Sequence, residues 1–114
     1  MIDTEKKDER IFIRIDEIAG KIVENIKPEK IFLFGSYAKG THTEDSDLDL
    51  IIVNKTDLPK HKRGIEIRRL FYRQLIPMDI KVYTPQEFEN ESSNPYAFLH
   101  TAIKNSKKLY ERQT

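Results

Sequence analysis

The chain has 114 residues, with 20 lysines and arginines against 19 aspartates and glutamates, so its formal charge is only +1. A chain of this length builds one compact core, and we expect a single domain over residues 1–114. The lack of cysteine excludes disulfides, thiol catalysis and thiolate metal sites. Its longest apolar runs, Ile31–Phe34 and Leu50–Val53, are far shorter than the roughly 20 residues of a membrane-spanning helix. The charged segment Met1–Arg10 is unlike a secretion signal, so we expect a cytoplasmic protein with no membrane contact.

The first half of the chain predicts a helix, a strand, a helical turn and a second strand. Apolar residues recur at helical spacing as far as Pro28, at Ile11, Ile15, Ile18, Ile22 and Ile26, with Phe12, Ala19 and Val23 beside them. Ile31–Phe34 is a short run of strand-forming residues. Ser36–Lys39 fits one helical turn that ends at Gly40, and Asp47–Val53 predicts the second strand.

The second half predicts a helix, a strand and two further helices. The first of these helices is indicated by Ile65, Ile67, Leu70, Phe71 and Leu75. Met78–Tyr83 alternates, which places Asp79, Lys81 and Tyr83 on one face of a strand. Thr84 is a candidate cap with Pro85 at the first helical position, and Tyr96–Tyr110 predicts a final helix. The order of elements predicts an α/β (α+β) fold in which helices flank a small mixed β-sheet.

The near-neutral total charge hides two segments of opposite charge. Residues 41–53 contain four acids (Glu44, Asp45, Asp47 and Asp49) and no base. Residues 54–73 contain seven bases and two acids; we expect Phe71 and Tyr72 there to pack in the core. The basic run has two interpretations, a solvated helix face or a surface that attracts a negatively charged ligand or an acidic partner. The total charge argues against direct binding of nucleic acid.

The most informative pattern is Gly35-Ser36, followed after ten residues by Asp47-Leu48-Asp49, with Asp79 on the next predicted strand. Aspartates at alternate strand positions point to one face, and carboxylates gathered there repel each other unless a cation lies between them. Oxygen ligands alone suit Mg²⁺. Gly35-Ser36 lies where a strand gives way to a helical turn, an arrangement that favours phosphate binding, and Lys39 adds a cation. The pattern therefore indicates phosphoryl or nucleotidyl transfer.

Simpler interpretations exist for each part. A glycine-serine pair is a common turn, and Lys81 is a plausible ion-pair partner for Asp79. Two other motifs are excluded: the acidic loop lacks the glycine and glutamate of a calcium-binding EF-hand, and Thr41-His42 follows Gly40 where a P-loop needs lysine and a hydroxyl residue.

The run Phe34–Gly40 together with Ser46–Leu50 closely resembles the signature of the DNA polymerase β-like nucleotidyltransferase superfamily. The short chain is similar to its minimal nucleotidyltransferase branch. This resemblance implies a fold like the polymerase β palm. Lys39 stands where many members carry arginine, so a bidentate phosphate contact is lost there.

The resemblance also implies roles for individual residues. Gly35, Ser36 and Lys39 would bind the triphosphate of ATP. Asp47, Asp49 and Asp79 would be catalytic and would hold two Mg²⁺ ions, with Asp79 helping to deprotonate the attacking hydroxyl.

The resemblance finally implies an antitoxin that transfers AMP from ATP to a tyrosine hydroxyl of a partner HEPN-domain ribonuclease toxin. Two alternatives stay open, an enzyme that modifies a small molecule such as an aminoglycoside and a non-catalytic module that only binds the toxin. The sequence is compatible with self-association in addition to this hetero-oligomer.

Overall fold

The computed structural model describes residues 4–43, 45–74 and 76–113, with side chains from residue 14 onward. Of the residues used in the predictions above, Glu44, Leu75 and the side chains of Ile11 and Phe12 lie outside this part. In chain order the elements are α1 (Thr4–Ile26), β1 (Lys30–Phe34), α2 (Ser36–Lys39), β2 (Leu48–Val53), a 3-10 helix (Lys60–Lys62), α3 (Ile65–Arg69), β3 (Met78–Tyr83), α4 (Pro85–Ser92), α5 (Phe98–Lys104) and β4 (Lys107–Glu111). None of the helices described is long and apolar enough to cross a membrane.

The four strands form one mixed sheet in the order β3-β2-β1-β4. β1 runs antiparallel to both β2 and β4, whereas β2 and β3 are parallel and pair from Leu48 opposite Met78 to Val53 opposite Tyr83. Because β1 ends where β2 and β3 begin, the last residue of β1 and the first residues of the other two strands share one edge of the sheet. The predicted small mixed sheet with flanking helices is confirmed.

One face of the sheet packs against α1 and α3. Alternate strand residues point to this face, since successive side chains of a strand point to opposite sides. Its buried residues are Ile31, Leu33, Leu48, Leu50, Ile52, Ile80 and Val82 from the strands, Ile15, Ile18, Ala19, Ile22 and Ile67 from the helices, and Phe71 from the turn after α3. Burial of each large aliphatic side chain contributes roughly 1.5–3 kcal/mol, so this layer is the main source of stability.

The opposite face of the sheet packs against α4 and α5. The buried residues here are Phe32, Phe34, Ile51, Val53, Leu99 and Ala102, with Phe88 packed against them. Phe88 stacks on Phe32, with ring centroids 5.5 Å apart. Asp49 and Asp79 belong to this same face by strand alternation, at the edge where β2 and β3 begin. The sheet therefore carries its acidic residues beside a packed core.

Helix α4 begins at the predicted cap. The Thr84 hydroxyl accepts a bond from the backbone N–H of Glu87, and the Glu87 carboxylate accepts one from the N–H of Thr84, with Pro85 at the first position. Arg63 donates to the same carboxylate at 2.6 Å and to the Leu58 carbonyl at 2.7 Å. Arg63 thus joins the loop after β2 to α4.

Two predicted helices are corrected by the structure. The final helix ends at Lys104, and Lys107–Glu111 instead forms β4 against β1. The helix after β2 is shorter than its apolar spacing indicates, because α3 spans only Ile65–Arg69 and turns follow it. Tyr72, expected in the core, is 67% exposed on one of these turns, whereas Phe71 is buried as predicted.

Candidate functional site

The site is built around the turn that leaves β1. Gly35 has φ 74° and ψ −153°, a conformation that only glycine adopts readily. Its carbonyl accepts hydrogen bonds from the N–H groups of Ala38 and Lys39, which closes the short helix α2. Gly40, with φ 75° and ψ 15°, ends that helix in the left-handed region. Both Gly35 and Gly40 therefore adopt backbone conformations that would be strained for a residue with a side chain.

The loop between α2 and β2 has a fixed local structure before Asp47. The backbone N–H of Thr43 donates to the Ser46 hydroxyl at 2.8 Å, and the N–H of Ser46 donates to the Thr43 carbonyl at 3.1 Å. The N–H of Leu48 then donates to the Pro77 carbonyl at 2.8 Å. These bonds place exposed Asp47 directly at the start of β2, beside the chain entering β3.

Asp49 lies opposite Asp79 in the parallel pairing of β2 with β3, and opposite Phe34 in the antiparallel pairing with β1. Phe34 is the last residue of β1, and Gly35 follows it directly in the chain. A Cβ built on Gly35 would stand 2.2 Å from Oδ2 of Asp49, closer than any real contact. The absence of a side chain at Gly35 is thus what allows this carboxylate to lie against the turn.

The charges of Asp47 and Asp79 act on the carboxyl group of Asp49. The pKa of Asp49 is raised from its ordinary value of 3.8, first by partial burial and then by the nearby charges of Asp79 and Asp47. Lys81 opposes this shift, and its ammonium lies 3.2 Å from Oδ2 of Asp79. The predicted ion pair between Lys81 and Asp79 is therefore present, and the same ammonium partly compensates the charge of Asp49.

The donor set has the chemistry that Mg²⁺ requires, since it consists of carboxylate oxygens whose mutual repulsion a cation would relieve. In the described residues, however, no three carboxylate or histidine side chains are close enough to form a complete metal site by themselves. The ion pair with Lys81 occupies one oxygen of Asp79. Shared metal binding by Asp47, Asp49 and Asp79 stays a prediction.

A groove of about 470 Å³ runs beside Gly35 between the end of β1 and α5. Gly35 and Lys39 line one side of it, and Phe98 and Thr101 line another. Phe98 is 55% exposed and meets Phe34 edge to face, with centroids 5.8 Å apart. No role was predicted for Phe98 from the sequence; Pro95, three residues earlier, is a local signal that a helix starts here.

The predicted nucleotide-binding residues lie together at this turn. Gly35 and Ser36 are half-buried, while Lys39 is exposed in the last turn of α2. Tyr37 packs partly against the core and stacks on His42, with centroids 4.4 Å apart. The structure therefore brings Gly35, Ser36 and Lys39 together at the edge of the sheet where Asp49 lies against Gly35.

The basic run after β2 is not a uniform charged surface. The Arg63 side chain is only 9% exposed and forms an ion pair with Glu87, so its role is structural. Lys60 lies 3.9 Å from Glu91 and stands over the Tyr83 ring. The remaining cations are exposed, as expected for a solvated face: Lys55, Lys62, Arg68, Arg69 and Arg73.

The sequence profile of the family described as "Polymerase beta, Nucleotidyltransferase" matches residues 16–114. Two proteins of Methanocaldococcus jannaschii, each named "Putative protein adenylyltransferase", are similar in sequence. One is 36% identical over 56 residues, which are 49% of this chain and 56% of the relative. The other is 40% identical over 72 residues, which are 57% of this chain and 48% of the relative. The chain thus spans about half the length of these curated relatives.

Solved structures share the fold. A crystal structure of a "putative nucleotidyltransferase" from Sulfolobus solfataricus superimposes with a TM-score of 0.63 at 20% identity, over 98% of this chain and 91% of the other. A crystal structure titled as a toxin-antitoxin with AMP-PNP superimposes with a TM-score of 0.61 at 22% identity, over 86% and 74% of the two chains.

Proposed function

Because this chain belongs to the polymerase beta nucleotidyltransferase family, we propose that it transfers AMP from ATP to a hydroxyl group of a partner protein. The observation that carries the proposal is the contact between the glycine turn and the carboxylates. Asp49 fits against Gly35 and lies in register with Asp79. A phosphate site beside a cluster of carboxylates suits phosphoryl-group chemistry, which depends mostly on position and charge.

Gly35, Ser36 and Lys39 would bind the triphosphate. Because Gly35 has no Cβ, the incoming phosphate could approach the backbone of the turn closely. Ser36 supplies a hydroxyl, and the exposed Lys39 ammonium is free to move toward the phosphate chain. These groups would hold the β- and γ-phosphates and thereby orient the α-phosphorus toward the carboxylates.

Asp47, Asp49 and Asp79 would hold Mg²⁺. When bound, this ion would neutralise the charge that develops on the phosphate oxygens during transfer. Asp79 would in addition accept the proton of the acceptor hydroxyl. The acceptor oxygen would then attack the α-phosphorus, the bond from that phosphorus to the bridging oxygen would break, and pyrophosphate would leave with the electron pair. AMP would remain on the acceptor through a new phosphorus–oxygen bond.

The acceptor we propose is a tyrosine of a HEPN-domain ribonuclease toxin, and the biological role is that of an antitoxin. The relatives named protein adenylyltransferase support a protein acceptor. The fold neighbour titled as a toxin-antitoxin with AMP-PNP supports both a toxin partner and an adenine nucleotide. The exposed position of Asp47 and the half-exposed position of Asp79 leave the carboxylate edge accessible to such a partner.

The test is to incubate the chain with Mg²⁺, ATP labelled at the α-phosphate, and a HEPN-domain protein in wild-type and tyrosine-to-phenylalanine forms. We expect label on the wild-type partner and none when Asp47→Asn replaces the wild-type chain. Label on an aminoglycoside instead of the protein would assign the chain to small-molecule modification. Inhibition of the partner with no transfer of label would identify a binding module and overturn the catalytic proposal.

A further inference from the structure

We propose that the groove between β1 and α5 binds the nucleoside half of the nucleotide, with a purine base stacked on Phe98. This inference rests on the proposed function, because it assumes that the triphosphate lies at Gly35 and Lys39. It adds a base-binding subsite that the signature residues do not specify.

The groove is continuous with the phosphate turn. Gly35 and Lys39 line it on the β1 side, so a nucleotide held there by its phosphates would have its nucleoside directly beside the groove. Its volume of about 470 Å³ falls within the range of small-molecule sites, roughly 300–1,000 Å³. Because two of the residues proposed to bind the phosphates line the groove, its position favours the nucleotide as its occupant.

The wall of the groove offers an aromatic surface that the fold holds in place. Leu99 and Ala102 anchor α5 in the core, and Phe98 precedes them with more than half of its surface exposed. Edge-to-face contact with Phe34 fixes the ring on one side. Exposure of a large apolar side chain beside a polar site has a cost, and a stacked base would offset it.

Polar and cationic groups surround this ring. Thr101 lies three positions after Phe98 on α5 and Asn105 directly follows the helix, and both line the groove with Phe98. They supply hydrogen-bonding groups for a ribose or a base edge. Lys81 lies 5.7 Å from the centroid of the Phe98 ring and also pairs with Asp79. Positive charge therefore stands between the aromatic ring and the carboxylates, where the α-phosphate of a stacked nucleotide would pass.

The test compares ATP with inorganic triphosphate, which has the phosphates but no nucleoside. Binding of each in the presence of Mg²⁺ is measured by calorimetry for the wild-type chain, Phe98→Leu and Phe98→Tyr. We expect Phe98→Leu to weaken ATP binding roughly five- to a hundredfold, since the variant loses the stacking of the base on an aromatic ring. It should change triphosphate binding by less than about twofold, and Phe98→Tyr should bind ATP as the wild type does.

Tyr72→Ala is the matched control, because Tyr72 is an exposed aromatic residue on the turn after α3. It should leave both affinities unchanged. Unchanged ATP affinity in Phe98→Leu, or an equal loss for ATP and triphosphate, would overturn the proposal. Unchanged ATP affinity with lost capture of the HEPN partner would overturn it too and assign the groove to the partner. A wild-type chain that binds neither ligand would overturn the proposed function itself.

Discussion

The carboxylate of Asp49 occupies the space beside Gly35 that a side chain at position 35 would need, with 2.2 Å between Oδ2 and the position of a Cβ. The pairing of Phe34 with Asp49 across β1 and β2 produces this contact. Glycine at position 35 thus serves two purposes, the conformation of the turn and the position of the carboxylate.

Gly35→Ala should reduce nucleotide transfer by at least about a hundredfold, since a displacement of about 1 Å at a reacting centre has an effect of this size. Asp49 would have to move away, and the backbone strain should lower the free energy of unfolding by about 1–3 kcal/mol. Transfer rate and urea denaturation measure the two effects.

The control is Gly40→Ala. Gly40 also has a positive φ, but a Cβ built there meets nothing within 4 Å. This variant should lose about 1–2 kcal/mol of stability and keep its transfer rate. Equal loss of activity in the two variants would show that strain, and not the position of Asp49, is responsible.

Asp49→Asn should make the protein more stable at pH 7 while abolishing transfer. A raised pKa means that the folded chain binds a proton more tightly than the unfolded chain, so stability falls as pH rises from 3.8 through the folded pKa. Asparagine cannot ionise and avoids this loss. Urea denaturation at pH 3.5 and at pH 7 should therefore show the variant gaining on the wild type as pH rises.

For this comparison Asp57→Asn, at an exposed position in the loop after β2, controls for the general loss of one negative charge. It should not reproduce the gain. An Asp49→Asn variant less stable than the wild type at pH 7 would contradict the account of repulsion among the aspartates.

Glu87→Gln should lower the free energy of unfolding by about 1 kcal/mol at pH 7, a typical value for a helix cap. Hydrogen bonds from the Thr84 backbone and from Arg63 lower the pKa of Glu87 from 4.5 to about 2. The stabilisation is therefore complete above pH 4.5 and declines as pH falls toward 2. Denaturation curves should show a smaller difference in the free energy of unfolding between variant and wild type at pH 3 than at pH 7. Glu89→Gln, at an exposed position on the same helix, should show no such trend.

Gly20→Ala should stabilise the protein by about 0.5–1 kcal/mol. Gly20 lies within α1, is exposed, and has open space where a Cβ would stand. Alanine restricts the unfolded chain and favours the helix. Thermal unfolding followed by circular dichroism measures the change, and a lower melting temperature would show that the helix is not formed as described at this position.

The parts of the fold that were predicted correctly from the sequence are determined by neighbouring residues in the chain. Alternation alone defined the strand Met78–Tyr83 and its faces, and Thr84-Pro85 marked the start of α4. β4 was missed because Lys107–Glu111 is polar and its strand character depends on pairing with β1, more than 70 residues earlier in the chain. Pairing at that separation leaves little trace in local periodicity.

The candidate site was predictable to a similar extent. The spacing of Gly35, Asp47, Asp49 and Asp79 in sequence indicated one cluster, and the strand register places Asp49 beside Asp79 and the turn. The exposure of Phe98 and the burial of Arg63 could not be predicted from the sequence. An apolar residue stayed exposed at a helix start, and a charged residue in a basic run became buried against Glu87. Exposure of a single side chain depends on neighbours that only the tertiary structure provides.

Transfer of AMP is tested directly by comparing ATP labelled at the α-phosphate with ATP labelled at the γ-phosphate. With Mg²⁺ and a HEPN-domain partner, we expect the α-label to become covalently attached to the partner while the γ-label leaves as pyrophosphate. Asp47→Asn and Asp49→Asn should show neither product. Attachment of the γ-label, or covalent labelling that persists in both aspartate variants, would contradict the account.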